Sequence, residues 1–257
     1  AFLKRALIPL PPIEEQKRIV GILDELVRKI EVIRKIKSEI YGKIDTILPA
    51  VLNDVFSDRI IKKWTWLRLK DVARIAAGGT PKRSVEEYWG GKIPWVKISD
   101  IPDHGLVLDT EEKITEKGLK ESSAKIFPKG TVLFSIFATI GKVGILGIDA
   151  ATNQAIAGIQ IKDPSLVNPR YLFYCLKHYG LSLTKVGRGM AQRNINLTIL
   201  KNLKIPIPPT EEQTKIIAYL DKINNLICSL KENQRKTEKE IERLISAILN
   251  KAFRGQL

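Results

Sequence analysis

Two stretches of this chain carry side chains and backbone suited to gripping a polyanion. Gly78-Gly-Thr-Pro-Lys82-Arg83-Ser84 is a basic turn loosened by two glycines, and its amides and cations suit phosphate contact. Lys185 and Gly187-Arg188-Gly-Met-Ala-Gln192-Arg193-Asn194 form a second glycine-loosened stretch, rich in Arg, Gln and Asn. Those three types hydrogen-bond guanine and adenine edges two bonds at a time in the major groove. Lys142, at the end of Thr139-Ile-Gly-Lys142, and Asn153, beside Gln154, are polar tips between apolar runs. Lys97 and Ser99 leave a run that ends at Trp95. The candidate DNA contacts are therefore Lys82, Arg83, Lys142, Asn153, Arg188, Gln192 and Arg193. The alternative for both stretches is an ordinary surface loop that satisfies its own backbone.

Signals for catalysis are weak beside these. His104 and His178 have no ligand or nucleophile pattern around them, and His178 reads as a structural residue near a helix end. No G-x-x-x-x-G-K-[ST] loop is present, so ATP-driven work is not expected of this chain. The Asp/Asn-Pro-Pro-Tyr tetrapeptide that holds a target amine in amino-methyltransferases is absent. Asp100/Asp103 and Glu111/Glu112 read as solvated loop carboxylates rather than a metal nuclease site. No catalytic residue, metal or bound cofactor is expected.

Composition agrees. The 257 residues carry 43 Lys and Arg against 28 Asp and Glu, a formal charge of +15. A chain this basic usually meets nucleic acid. Cys175 and Cys228 stand alone, without a CxxC spacing, which excludes a disulfide framework and a zinc site and fits a reducing cytoplasm. No apolar run approaches the roughly 20 residues of a membrane span.

The elements that must position these loops are announced by a doubling. Pro9-Leu-Pro-Pro-Ile-Glu-Glu-Gln16 recurs as Pro206-Ile-Pro-Pro-Thr-Glu-Glu-Gln213, and the offset of 197 persists through Leu23/Leu220, Asp24/Asp221, Ile44/Ile241, Asn53/Asn250 and Phe56/Phe253. Each copy carries an apolar stripe in steps of 3 and 4, the seam of a coiled coil. In the first copy the stripe runs Ile19, Leu23, Leu26, Ile30, Ile33, Ile36 or Lys37, Ile40, Ile44, with Pro49 expected to kink or interrupt the helix. In the second, Thr210 and Gln213 are expected to form a capping box behind Pro208-Pro209. Some 43 helical residues make a rod of roughly 60 Å, which needs a partner for its stripe. Connectivity makes the two copies antiparallel, with Lys37 expected level with Glu232 to Gln234.

The middle differs. It holds all four tryptophans (Trp64, Trp66, Trp89, Trp95) and short β-type runs at 93–98, 131–136, 142–146 and 156–161. One helix is marked by an Asn168 cap, Pro169 at its first position and Gly180 as its stop. The expected fold is α+β: a globular mixed-sheet domain with two long helices packed as an antiparallel coiled coil. The divisions are 1–13 as a leading tail, 14–56 as the first long helix, 57–203 as the globular middle and 204–257 as the second long helix.

Taken in order, these features resemble the specificity subunit of type I restriction–modification enzymes. The carriers are the doubled Pro-x-Pro-Pro-x-Glu-Glu-Gln with its long helix, Trp66-Leu-Arg-Leu-Lys-Asp-Val72 and Gly79-Thr-Pro81. Tyr88-Trp-Gly-Gly-Lys-Ile-Pro-Trp95-Val-Lys-Ile-Ser-Asp100-Ile101, Gly141-Lys-Val143, Asn153-Gln-Ala155 and Gln192-x-Asn194-Ile195 complete them. The resemblance implies a non-catalytic, sequence-specific reader of double-stranded DNA, with helical spacers that bind methyltransferase subunits. A restriction subunit would join them, and S-adenosylmethionine would sit on the methyltransferase rather than on this chain. Family members alternate recognition domain and spacer twice, whereas here one recognition domain lies between two spacers. The chain is thus expected to be a C-terminal piece or a half-subunit, and a half-subunit would form a homodimer to read a two-part palindrome. Residues of the shared motifs should shape the fold or touch phosphates, which leaves base reading to Lys82, Arg83, Arg188 and Arg193. The competing readings are a coiled-coil scaffold for other proteins and an unrecognised DNA-modifying enzyme.

Overall fold

The computed structural model describes residues 11–186, 195–254 and 256. The chain forms two compact units, residues 1–47 with 226–257 and residues 48–225. Both divisions fall inside long helices rather than at their ends.

The first unit is a pair of helices, the greater parts of α1 (Ile13–Val55) and the last helix of the chain, Thr210–Phe253. They run antiparallel: Lys231 Nζ lies 2.7 Å from Asp45, and Arg34 Nη2 lies 3.0 Å from Glu238. The seam passes through Lys37 and not Ile36. Lys37 keeps only 16% of its side chain exposed and lies 4.0 Å from Glu238, whereas Ile36 and Ile40 are 51% and 58% exposed. A lysine can occupy such a seam because its methylene stem packs while the ammonium reaches an opposing carboxylate. Lys37 therefore stands level with Glu238, and not with Glu232 to Gln234, as the matching of polar breaks predicts. Ile44 is buried in the same seam.

The second unit opens on the end of α1. Pro49 neither kinks out nor interrupts that helix, which stays continuous to Val55. Leu52 and Phe56, just beyond it, are 1% and 3% exposed in the unit's main core, and their burial holds the segment helical despite the lost N–H donor. Next come α2 (Asp58–Ile61), β1 (Thr65–Arg68), α3 (Leu69–Val72), β2 (Ala73–Ala77), β3 (Trp89–Val96), β4 (Leu106–Val107), β5 (Glu112–Ile114) and α4 (Glu116–Lys120). Then follow β6 (Ile126–Phe127), β7 (Val132–Ser135), β8 (Val143–Leu146), β9 (Ala150–Thr152), β10 (Ile156–Ile161), α5 (Pro169–Val186), α6 (Leu197–Asn202), β11 (Lys204–Ile207) and α7 (Thr210–Phe253). One sheet has the order β2-β10-β7-β8-β4, a second β5-β3-β9-β6, and β1 pairs with β11. This is the mixed-sheet α+β architecture read from the sequence. β7 and β8 are buried at every position and read as continuous apolar runs rather than as alternation.

Three local readings change. Gly180 does not stop α5, which continues to Val186. A Cβ on Gly180 would lie 2.6 Å from the Gly141 carbonyl oxygen, so this glycine serves a close approach between α5 and the loop before β8. Gly141 itself has φ +86°, a conformation that favours glycine. The Thr210/Gln213 capping box does not form. Gln213 Nε2 instead donates to the carbonyls of Leu166 (2.8 Å) and Pro208 (3.0 Å), its Oε1 accepts the Asn168 N–H at 2.9 Å, and Thr210 donates to Ser165 O. The two side chains tie the start of α7 to the loop that leads into α5. Asn168 does cap α5, accepting the Arg170 N–H at 2.8 Å.

Candidate nucleic-acid interface

Four loops of the second unit are bonded together where β2, β3, β7 and β9 end. Gly78 N–H donates to Ile156 O, Gly79 N–H to Thr152 O, and Thr80 Oγ1 to Gln154 Oε1. Asn153 N–H donates to Val96 O at 3.0 Å, and Lys142 Nζ donates to Ile98 O at 3.0 Å. The Gly78–Ser84 loop, the Lys97–Asp100 turn, the Ile136–Lys142 loop and the Thr152–Gln154 turn thus form one continuous surface. The described chain resumes on it after residue 194, with Ile195 N–H donating to Ile136 O at 3.2 Å.

The Gly78–Ser84 loop is more rigid in its attachments than its glycines suggest. A Cβ on Gly78 would run into Thr152, and one on Gly79 into Ser123, so the glycines allow close packing here. Trp95, 2% exposed, donates its indole N–H to Gly79 O at 2.9 Å, and Trp89 donates its own to Lys82 O at 3.3 Å. The two rings meet edge to face at 5.0 Å. Two tryptophans of β3 therefore staple the loop backbone, one at Gly79 and one at Lys82 itself.

What the loop presents is a pair of cations in different states. Lys82 is exposed, and its ammonium has no partner among the described residues. Arg83 lies flat on Trp89, its guanidinium carbon 3.7 Å from the ring centroid and 5.0 Å from that of Trp95, and pairs with Glu112. Lys97 bridges Glu111 at 2.6 Å and Glu112 at 2.8 Å. These carboxylates raise the Lys97 ammonium above its ordinary value, and Arg83 first, then Lys97, hold the Glu112 carboxyl below the usual carboxylate range. Glu112 is thus a counter-ion in a network and not a solvated loop carboxylate. Asp100 likewise accepts the Lys97 N–H at 2.7 Å.

Lys142 is half-buried, and its ammonium is spent partly on Ile98 O, while Ser135 Oγ accepts its backbone N–H at 2.8 Å. Asn153 Oδ1 accepts the Ala155 N–H at 3.1 Å, closing a turn on itself. Both side chains hold loops of this surface in place. Arg188, Gln192 and Arg193 lie outside the described residues. Sequence reading missed Trp89 as the platform for Arg83, and in the β7–β8 loop, which it marked at Thr139–Lys142, it missed Phe137, 37% exposed, and Ala138 with φ +59°.

Both histidines have structural partners. His178 stacks on Phe56 at 5.2 Å, and His104 Nδ1 accepts the Leu106 N–H. Among the described residues no group of three or more His, Cys, Asp and Glu is placed to hold a metal, and no helix is long and apolar enough to cross a membrane.

Known proteins share this arrangement. The type I restriction modification DNA specificity domain matches residues 1–41 and 61–243. The specificity subunit of the type I restriction enzyme MjaIX from Methanocaldococcus jannaschii is 35% identical over 199 residues, covering 76% of this chain and 45% of its own length. That of EcoR124I/EcoR124II from Escherichia coli is 25% identical over 236 residues, 88% of this chain and 57% of its own. A chain from a structure of type I R-M system assembly superposes with a TM-score of 0.76 at 31% identity, over 97% of this chain and 62% of that one. The HsdS subunit of Thermoanaerobacter tengcongensis superposes with a TM-score of 0.59 at 31% identity, over 97% and 61%. This chain spans about half the length of the curated relatives it matches. With the doubled helical segment, the sheet order and the loop surface in place, the match over most of its residues means that the chain belongs to the type I restriction-modification DNA specificity family.

Proposed function

We propose that this chain is the non-catalytic DNA-reading part of a type I restriction–modification assembly. The observation that carries the reading is the convergence of four loops on one surface, with Lys82, Arg83, Lys97 and Lys142 among them. The excess of 43 basic over 28 acidic residues supports a polyanionic ligand. Lys82, exposed and held by no neighbour, grips a phosphate rather than reading a base as the sequence alone suggests, while Arg83, oriented on Trp89, meets a base edge. The spacer helices carry exposed apolar residues, among them Val20, Val27, Ile36 and Ile40, that suit packing against helices of methyltransferase subunits. Those subunits would bind S-adenosylmethionine and carry out adenine methylation, and a restriction subunit would complete the assembly. Two copies of the chain, paired through symmetry, would read a mirrored two-part site.

Salt dependence of duplex binding tests the DNA-reading role. Affinity should fall steeply with salt, and Lys82→Ala should lower the slope of log K against log salt by about one while weakening all sequences alike. Binding that ignores salt would remove DNA from the reading and favour a protein scaffold.

A further inference from the structure

Of the two candidate base readers that the structure describes, Lys82 and Arg83, Arg83 has the more constrained geometry, and the constraint comes from a residue on β5. Glu112 opens β5 directly opposite Trp95 of β3, so sheet register fixes where its carboxylate points. One carboxylate oxygen accepts Arg83 Nη1 and the other accepts Lys97 Nζ at 2.8 Å. Glu112 keeps 27% of its side chain exposed and Lys97 23%, whereas Arg83 keeps 54%. The anion thus lies lower in the surface than the arginine it holds. Trp89 covers one face of the guanidinium. Nη1 is committed to Glu112, and Nε and Nη2 have no partner among the described residues.

We propose that Glu112 is a positioning residue for sequence reading: it clamps Arg83 against Trp89 so that the free edge of the guanidinium is presented to a guanine already oriented. The inference rests on the DNA-reading function above. A guanine edge offers two acceptors, N7 and O6, that match two parallel arginine N–H donors. An arginine on a flexible stem must lose rotamer freedom to make that pair, and stacking on Trp89 with an anchor at Nη1 removes most of that loss beforehand. Lys97 then completes the neutralisation, so that Glu112 opposes the DNA less than a lone carboxylate would. The device would work against phosphate binding at the same spot, because a carboxylate beside a phosphate costs attraction while a base edge carries no net charge. That sign difference separates the clamp from plain repulsion.

The test uses the full chain assembled with the methyltransferase subunit of its own system. A cognate duplex is first selected from a randomised pool by the wild type, and cognate and scrambled duplexes are then titrated at one salt concentration with wild type, Glu112→Gln, Glu112→Asp, Arg83→Ala and the Arg83→Ala/Glu112→Gln double variant. The expected result is a loss of roughly tenfold in the cognate-to-scrambled ratio for Glu112→Gln, with scrambled binding unchanged or tighter. Glu112→Asp, which keeps the charge and shortens the reach, should lose preference as well. Arg83→Ala should lose preference at a single base pair, and adding Glu112→Gln to it should cost nothing further. Equal tightening on both duplexes, or an unchanged ratio in both Glu112 variants, would overturn the clamp. A wild type with no sequence preference would instead overturn the DNA-reading function on which the clamp rests.

Discussion

Arg170 Nε donates to Asp221 Oδ1 at 2.7 Å, and Tyr174 Oη donates to the same oxygen at 2.5 Å. This joins α5 to α7 within the second unit. By the internal repeat Asp221 corresponds to Asp24, whose carboxylate has no ion pair or hydrogen bond among the described residues. Gln213 and Gln16 show the same contrast: each bonds the carbonyl five residues back, Pro208 or Pro11, but only Gln213 also binds the loop before α5. Identical residues in the two copies therefore do different work. Asp221→Asn should cost about 1–3 kcal/mol of stability, because it weakens two bonds to one partly buried charge. Asp24→Asn should stay within about 0.5 kcal/mol. Urea unfolding of both variants checks the pair, and equal losses would contradict the asymmetry.

Gly180 offers a prediction of reversed sign. Replacing a helical glycine by alanine ordinarily gains about 1 kcal/mol. Here the new methyl would meet the Gly141 carbonyl oxygen at 2.6 Å, so Gly180→Ala should lose about 1–3 kcal/mol by overpacking. It should also shift the amide resonances of residues 139–142. A stabilised variant would mean that the loop yields freely.

The Glu112 network sets a pH dependence. The carboxyl of Glu112 is held below its ordinary value by Arg83 and then Lys97. A depressed carboxyl contributes stability that is present above its unfolded value, about 4.3, and is lost as pH falls through the lower folded value. The melting temperature of the wild type should exceed that of Glu112→Gln above about pH 5, and the two should converge on further acidification. Parallel curves down to pH 3 would show that the carboxylate is not paired in solution.

The two cysteines should separate cleanly under a thiol reagent. Burial pushes the Cys175 thiol up to about 12 and leaves it 6% exposed, whereas Cys228 is half-buried. Cys228 should label first, and Cys175 only as the second unit unfolds. Rapid labelling of both in the native state would contradict the packing of α5.

Much of this was readable in the residues. The doubled Pro-x-Pro-Pro-x-Glu-Glu-Gln and the 3-and-4 steps announce two long helices, and connectivity alone makes them antiparallel. The strand runs around 93–98 and 156–161 stand out because they are short, β-branched and bounded by turn residues. What the sequence hides is pairing across distance. Glu112 lies 29 residues from Arg83 and 15 from Lys97, and only the β3–β5 register brings them together. Gly180 looks like a helix stop because its actual neighbour, Gly141, is remote in the chain. Lys37 looks like a break in the seam because periodicity does not reveal the opposing Glu238. Pro49 looks like a helix breaker because propensity carries no knowledge of the core around Leu52 and Phe56.

The most direct test of the central claim is selection of duplexes from a randomised pool by the purified chain, with and without the methyltransferase subunit of its system, followed by sequencing. The account predicts enrichment of a short motif, single or mirrored across a fixed gap, and loss of one motif position with Arg83→Ala. An unenriched pool in both conditions would contradict sequence-specific reading by this chain.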